Sequence, residues 1–166
     1  MKILITYFSR SGNTEKVAKA IYEEVQCSKD IMQITLDMDL EQYDYVFLGF
    51  PIESYGPPKD IYPFLRTKTQ NSKLILFITH GVPENNELVP SWIDKCKTFL
   101  HPTAKVIDIF TCQGEVADYV VEELSQSQNP MLQAWAKHCY LLKGQPDEAK
   151  LQKTKKITQK ILKEIK

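Results

Sequence analysis

Within six residues, Ser9-Arg10-Ser11-Gly12-Asn13-Thr14 brings together three hydroxyl side chains, a glycine and an asparagine. Residues of these types bind anions. Hydroxyls donate hydrogen bonds to phosphate oxygens, and a glycine lets the backbone approach where a Cβ would obstruct it. N–H groups at a helix start face a negative charge favourably. Arg10 either adds positive charge near that anion or points to solvent. The stretch lacks the Gly-Lys-Ser/Thr of a P-loop and the GxGxxG of a dinucleotide fingerprint. A loop built mainly of hydroxyls suits a terminal phosphomonoester better than a pyrophosphate.

Other chemistries find little support. Cys27, Cys96, Cys112 and Cys139 are far apart and form no CxxC pair, which argues against a disulfide framework, a redox dithiol or a zinc site. His80, His101 and His138 are equally scattered and offer no metal-ligand spacing. No acid/base pair or nucleophilic triad is readable, and Cys112 has no base in a recognisable relation to it. Lysine and arginine balance aspartate and glutamate at 21 each, which gives no support for nucleic-acid binding. Seven lysines against three acids from Asp147 onward read as the solvated face of a helix. Apolar residues make up 43% and charged residues 25%, as in a soluble globular protein. No apolar run approaches the ~20 residues needed to cross a bilayer. The expected setting is a reducing cytoplasm.

The elements around the loop alternate. Lys2 to Phe8 is a short apolar run suited to a buried strand. Asn13 or Thr14 is expected to cap a helix that carries Val17, Ile21 and Val25 on one face. Ile31 to Leu36 reads as a weak second strand, Tyr43 to Phe50 as a strong third, Lys73 to Thr79 as the strongest, and Lys105 to Phe110 as a fifth. Helices are expected over Asp60–Arg66, Trp92–Leu100, Val116–Leu124 and Met131–Leu142, with a last one from Pro146-Asp147 to the end. This alternation implies an α/β fold, a parallel sheet covered on both faces, in one domain over residues 1–166. A ligand is expected beyond the carboxyl ends of the strands, at the switch point.

The Ser-Arg-Ser-Gly-Asn-Thr loop after the first strand resembles the phosphate loop of flavodoxins, Ser/Thr-x-Thr/Ser-Gly-x-Thr. The likeness continues at Gly49-Phe50-Pro51-Ile52-Glu53-Ser54-Tyr55-Gly56 after the third strand and at Thr79-His80-Gly81-Val82-Pro83 after the fourth. Phe110-Thr111-Cys112-Gln113-Gly114 and Gly144-Gln145-Pro146-Asp147-Glu148 look like segments of a subfamily with a long helical insert, 111–144, before the last helix. The resemblance implies a three-layer α/β/α sandwich with strand order 2-1-3-4-5 and FMN as cofactor.

The resemblance also implies roles. Ser9, Arg10, Ser11, Gly12, Asn13 and Thr14 would hold the FMN phosphate. Pro51, Ile52, Glu53, Ser54, Tyr55 and Gly56 would cover one flavin face, with Tyr55 stacked on the ring and the Gly56 peptide free to turn toward flavin N5. Thr79, His80, Gly81 and Val82 would meet the other side, and Cys112, Gln113 and Gly114 the flavin edge. Trp92 is expected to pack in the core. Acids near the mouth (Glu53, Asp60, Glu84, Glu87) would lower the potential and steer a basic partner. The neutral net charge departs from the strong acidity usual among low-potential carriers of this family. The expected function is electron transfer between redox partner proteins, a reductase and an acceptor oxidoreductase, by a monomer with no nucleic-acid or membrane partner. An NAD(P)H-dependent FMN or quinone reductase on the same fold is the enzymatic alternative, and a non-redox binding module the third.

Overall fold

A computed structural model describes residues 1–165. Five parallel strands form one sheet in the order β2-β1-β3-β4-β5. They are β1 (Lys2–Tyr7), β2 (Ser28–Gln33), β3 (Tyr45–Pro51), β4 (Lys73–His80) and β5 (Lys105–Gln113). Six α-helices join or flank them: α1 (Asn13–Glu24), α2 (Tyr62–Thr67), α3 (Val89–Lys97), α4 (Asp118–Ser125), α5 (Pro130–Tyr140) and α6 (Glu148–Glu164). A 3-10 turn over Lys59–Ile61 leads into α2. The expected sheet order and three-layer arrangement hold.

The sheet is apolar on both faces because side chains alternate along each strand. Ile3, Ile5, Phe47, Ile75 and Phe77 face α1 and α6, where Val17, Ile21 and Ile161 close the first core. Leu4, Val46, Leu48, Leu74, Leu76 and Ile78 face the other way, against Phe64, Leu65 and Cys96. Gly49 sits where the Phe77 ring crosses β3; a Cβ there would lie 2.0 Å from the ring. No helix among the described residues is long and apolar enough to cross a membrane.

The sequence misplaces some boundaries for physical reasons. β2 begins at Ser28 rather than Ile31 because it is the outer strand, polar and partly exposed, so its apolar signal is weak. β5 runs on to Gln113 because its pairing with β4 continues through His80 and Gln113. α3 starts earlier than Trp92, with Pro90 in its first turn, where a missing N–H costs nothing. The last helix starts as expected, Asp147 accepting from the Lys150 N–H at 3.0 Å. It ends at Glu164, with Ile165 following as its C-cap, and of the expected continuation only Lys166 lies outside the described residues.

Neither Asn13 nor Thr14 caps α1. Gly12 holds that position with φ +85°, and the Ser9 hydroxyl accepts from the N–H groups of Gly12 (3.1 Å) and Glu15 (3.4 Å). At the other end α1 has no basic residue in its last turn. Lys29 of β2 supplies the cation instead, its Nζ donating to the carbonyls of Tyr22 and Val25, both at 2.6 Å.

Candidate functional site

At the carboxyl edge of the sheet four segments surround one cleft. Ser9, Arg10, Ser11, Asn13 and Thr14 come from the β1–α1 loop and the first turn of α1. Pro51, Ile52, Glu53 and Ser54 come from the end of β3, and Thr79, His80 and Gly81 from the end of β4. The fourth wall is Glu115, Val116, Ala117, Tyr119 and Val120. Parallel strands feeding loops at one edge make this the expected place for a ligand.

The first wall is an anion cradle. Among the described residues the N–H groups of Ser11, Asn13 and Thr14 make no hydrogen bond within the protein, as is usual for the first turn of a helix. The left-handed backbone at Gly12 turns the chain into α1 without a Cβ penalty. The Thr14 hydroxyl lies 2.8 Å from that of Thr79, which fixes the first turn of α1 to the end of β4.

Arg10 lines the cleft with its side chain about half exposed, and its charge is paired. Its guanidinium bonds Glu53 Oε1 at 3.2 Å and pairs with Asp60, and it lies over the Phe8 ring at 5.1 Å. The contact with Glu53 is the chief reason its affinity for its proton is raised. The charge of Arg10 is therefore spent on carboxylates, leaving backbone N–H groups and hydroxyls to meet an anion. The mouth is correspondingly less acidic than a count of carboxylates suggests. Glu84 also has a partner, Lys153 at 2.7 Å, whereas Glu87 has no ion pair among the described residues.

After β3 the chain makes a tight turn closed by two hydrogen bonds, Glu53 N–H to Gly56 O at 2.8 Å and Gly56 N–H to Glu53 O at 3.1 Å. Ser54 and Tyr55 take up the reversal with φ of 49° and 64°. Such strain in residues with a Cβ persists where surrounding contacts enforce it, often at functional sites. Gly56, expected to turn freely, has both its N–H and its carbonyl engaged by Glu53. Tyr55 is not among the cleft-lining residues; it is 65% exposed, with its ring centroid 5.6 Å from that of Trp92. Trp92 is thus half-buried against Tyr55 rather than inside the core.

His80 is 3% exposed. Its Nδ1 lies 3.0 Å from the Val82 carbonyl, which can only accept, so Nδ1 carries the hydrogen. Burial holds its pKa below the ordinary histidine value, more than the Val82 carbonyl and Glu84 offset. Val82 itself is outside the cleft wall. Cys112 is buried in β5, and burial pushes its thiol up to about 11; it is inert as a nucleophile. Gln113 edges a separate hollow with Glu84 and Lys150. Gly114 packs on Asn13, with room for a Cβ only at 3.1 Å from its amide nitrogen.

The segment Glu115–Val120 is what sequence reasoning missed. Its signal was its place: it directly follows a strand at the ligand edge. It is fastened to the Ser9–Thr14 loop by the Asn13 amide, which donates to the Glu115 carbonyl at 2.9 Å. It also lies against Gly81, where a Cβ would fall 2.5 Å from Val116 Cγ2. Tyr119, 61% exposed, is the aromatic on the cleft rim.

A parallel sheet of order β2-β1-β3-β4-β5 with a donor-rich loop at its switch point defines the class, a flavodoxin-like α/β sandwich. The family model of the flavodoxin domain matches residues 4–159. The chain is 34% identical to the flavodoxin-like domain-containing protein BilS of Clostridioides difficile strain CD3, over 71% of this chain and 69% of that one. Matches to curated flavodoxins such as those of Shigella flexneri and Escherichia coli K12 span 64% and 50% of the relative's length. An archaeal flavodoxin structure aligns over 99% of both chains with TM-score 0.58 at 15% identity. A Lactobacillus acidophilus flavoprotein solved in complex with FMN aligns over 75% of this chain and 99% of its own, with TM-score 0.53 at 19% identity. The protein belongs to the flavodoxin domain family.

Proposed function

We propose that the cleft binds FMN and that the protein carries electrons between a reductase and an acceptor oxidoreductase. The observation that carries this reading is the unspent donor set at the α1 N-terminus, three N–H groups beside the Ser11 and Thr14 hydroxyls and no lysine among them. It suits a phosphomonoester, and FMN is the ligand that family membership and the FMN-bound relative of the same fold support. The orphaned buried polar atoms of the same cleft, Asn13 Oδ1 and His80 Nε2, fit a ligand with hydrogen-bond donors of its own.

In this reading Ser9–Thr14 hold the phosphate, and Thr14 and Thr79 keep the cradle rigid. Ile52, Val116 and Ala117 give the flavin an apolar lining, the Ser54 turn lies on one side, and Gly81 and Tyr119 lie on the other. Tyr119 replaces Tyr55 as the aromatic partner. When bound, FMN supplies the redox chemistry, and the protein supplies binding, orientation and field. The Arg10–Glu53–Asp60 cluster leaves little net charge at the mouth, so partner choice rests on surface shape more than on strong steering. Four free cysteines suit a reducing compartment.

Addition of FMN to the protein should quench flavin fluorescence to a 1:1 end point, and reduction of the complex should then proceed in two separated one-electron steps. Failure to take up FMN would end the cofactor assignment. Turnover of NADPH and a quinone without an added reductase would replace the carrier by an enzyme.

A further inference from the structure

Two side-chain atoms in the described residues are buried without any hydrogen-bond partner, Asn13 Oδ1 and His80 Nε2, and both residues line the cleft. Buried polar groups are otherwise almost always satisfied, because an unmade bond carries the full cost of desolvation. Both atoms are of one kind. The Asn13 amide nitrogen donates to the Glu115 carbonyl, which leaves Oδ1 as an acceptor. The Val82 carbonyl fixes the His80 hydrogen on Nδ1, which leaves Nε2 as an acceptor. The cleft therefore asks its ligand for O–H or N–H donors. A phosphate dianion has none.

Both residues line the cleft that the cradle opens into: Asn13 belongs to the cradle, and His80 ends β4 directly after Thr79. The part of FMN that adjoins the phosphate is its ribityl chain, and that chain carries hydroxyl groups. We propose that His80 Nε2 accepts a hydrogen bond from a ribityl hydroxyl of bound FMN, so that flavin is held only while the imidazole is neutral. This rests on the FMN reading above.

Protonation would turn Nε2 into a second donor facing a donor. Burial opposes that charge. The charged groups around it are Glu84 on its own loop and, among the residues of the cleft wall, Arg10, Glu53 and Glu115, with the Tyr119 phenol. Arg10 and Glu53 offset one another, and Glu84 is held by Lys153.

The test is fluorescence titration of the full chain and of His80→Asn and His80→Leu with FMN, riboflavin and lumiflavin, a flavin ring without the chain. Asparagine keeps an acceptor and cannot titrate; leucine has none. At pH 7.5, His80→Leu should bind FMN and riboflavin about tenfold more weakly, and His80→Asn within about threefold of wild type. Lumiflavin should bind all three proteins alike. As pH falls below 7.5 the wild type should lose more affinity for FMN than His80→Asn; titration of the phosphate is common to both and cancels. Superimposable pH profiles, or equal FMN affinity in His80→Leu, would overturn the proposal while leaving FMN binding intact. A loss of lumiflavin affinity as large as that of riboflavin would move the donor to the ring and overturn the ribityl assignment. Wild-type protein that binds neither FMN nor riboflavin would overturn this and the cofactor reading together.

Discussion

The β1–α1 loop and the segment 115–140 wall the same cleft but are secured by different means. The loop leaves a strand buried in the first core and enters a helix whose Val17 and Ile21 belong to that core. The Thr14–Thr79 contact adds a tie to a second strand. By contrast α4 and α5 close on a small cluster of their own, Val121, Ala136 and Cys139 with Val116, Leu124 and Trp135 around them. The segment reaches the rest of the fold through Val116 on Gly81 and through polar links: Asn13 to Glu115, Glu115 N–H to the Gln145 carbonyl at 3.2 Å, and Gly144 N–H to the Glu115 carboxylate at 2.8 Å. Met131 and Leu141, 79% and 77% exposed, lie on its surface. The first wall thus shares the central core, whereas the second rests on a small core of its own, the arrangement from which local opening is expected.

Truncations in the two cores should separate these behaviours most clearly. Phe47→Ala, in a fully buried site, should cost about 3–5 kcal/mol in denaturant unfolding. Trp135→Ala should shift the global midpoint by less than ~1 kcal/mol yet speed amide exchange across 118–140. Equal global losses would erase the distinction. Gly12→Val forces a β-branched residue to φ +85° and should cost about 1–3 kcal/mol, with weaker FMN binding in fluorescence titration. Thr14→Val leaves the Thr79 hydroxyl without its partner and should cost about 1 kcal/mol in stability together with some FMN affinity.

A fourth expectation concerns acid. The folded protein keeps His80 neutral where the unfolded chain, with an ordinary value of ~6.5, takes up a proton. The contribution is present above that value and is lost as pH falls through it, because the unfolded state then binds more protons. Denaturant unfolding at pH 7.5 and 5.5 should show a shallower acid decline for His80→Asn than for wild type; parallel declines would argue that His80 does not sense its burial. The smallest effect is expected at Arg10. Its ion pairs are exposed, so Arg10→Ala should change stability by less than about 1 kcal/mol. A larger loss would mean that the Glu53–Gly56 turn depends on that guanidinium.

The sequence carried the sheet well because each buried strand is an apolar run and each helix an amphipathic one. The outer strand was harder, since Ser-Lys-Asp-Ile-Met-Gln has little apolar pattern to place it. Of the cleft, the Ser9–Thr14 cradle was legible because a strand, a hydroxyl-rich turn and a helix are contiguous there. The partners of Arg10 were not, because Glu53 and Asp60 approach it only through the fold. The place of Tyr119 on the cleft rim was not legible for a related reason: Tyr55 lies in a turn with two residues at positive φ, and Val116 beside Gly81 carries the chain on toward Tyr119. Neither event is local.

Lys29 and the donor-rich start of α1 together have a consequence for how the protein lives in a cell. One end of α1 is matched by the Lys29 cation, while the other has Glu15 in its first turn and would gain a further anion when phosphate binds. Occupancy would then complete the neutralisation of a helix that packs on the central strands, adding stability in proportion to the logarithm of cofactor supply. Flavin scarcity would act on the amount of surviving protein as well as on its redox capacity, since unfolded chains are the ones removed.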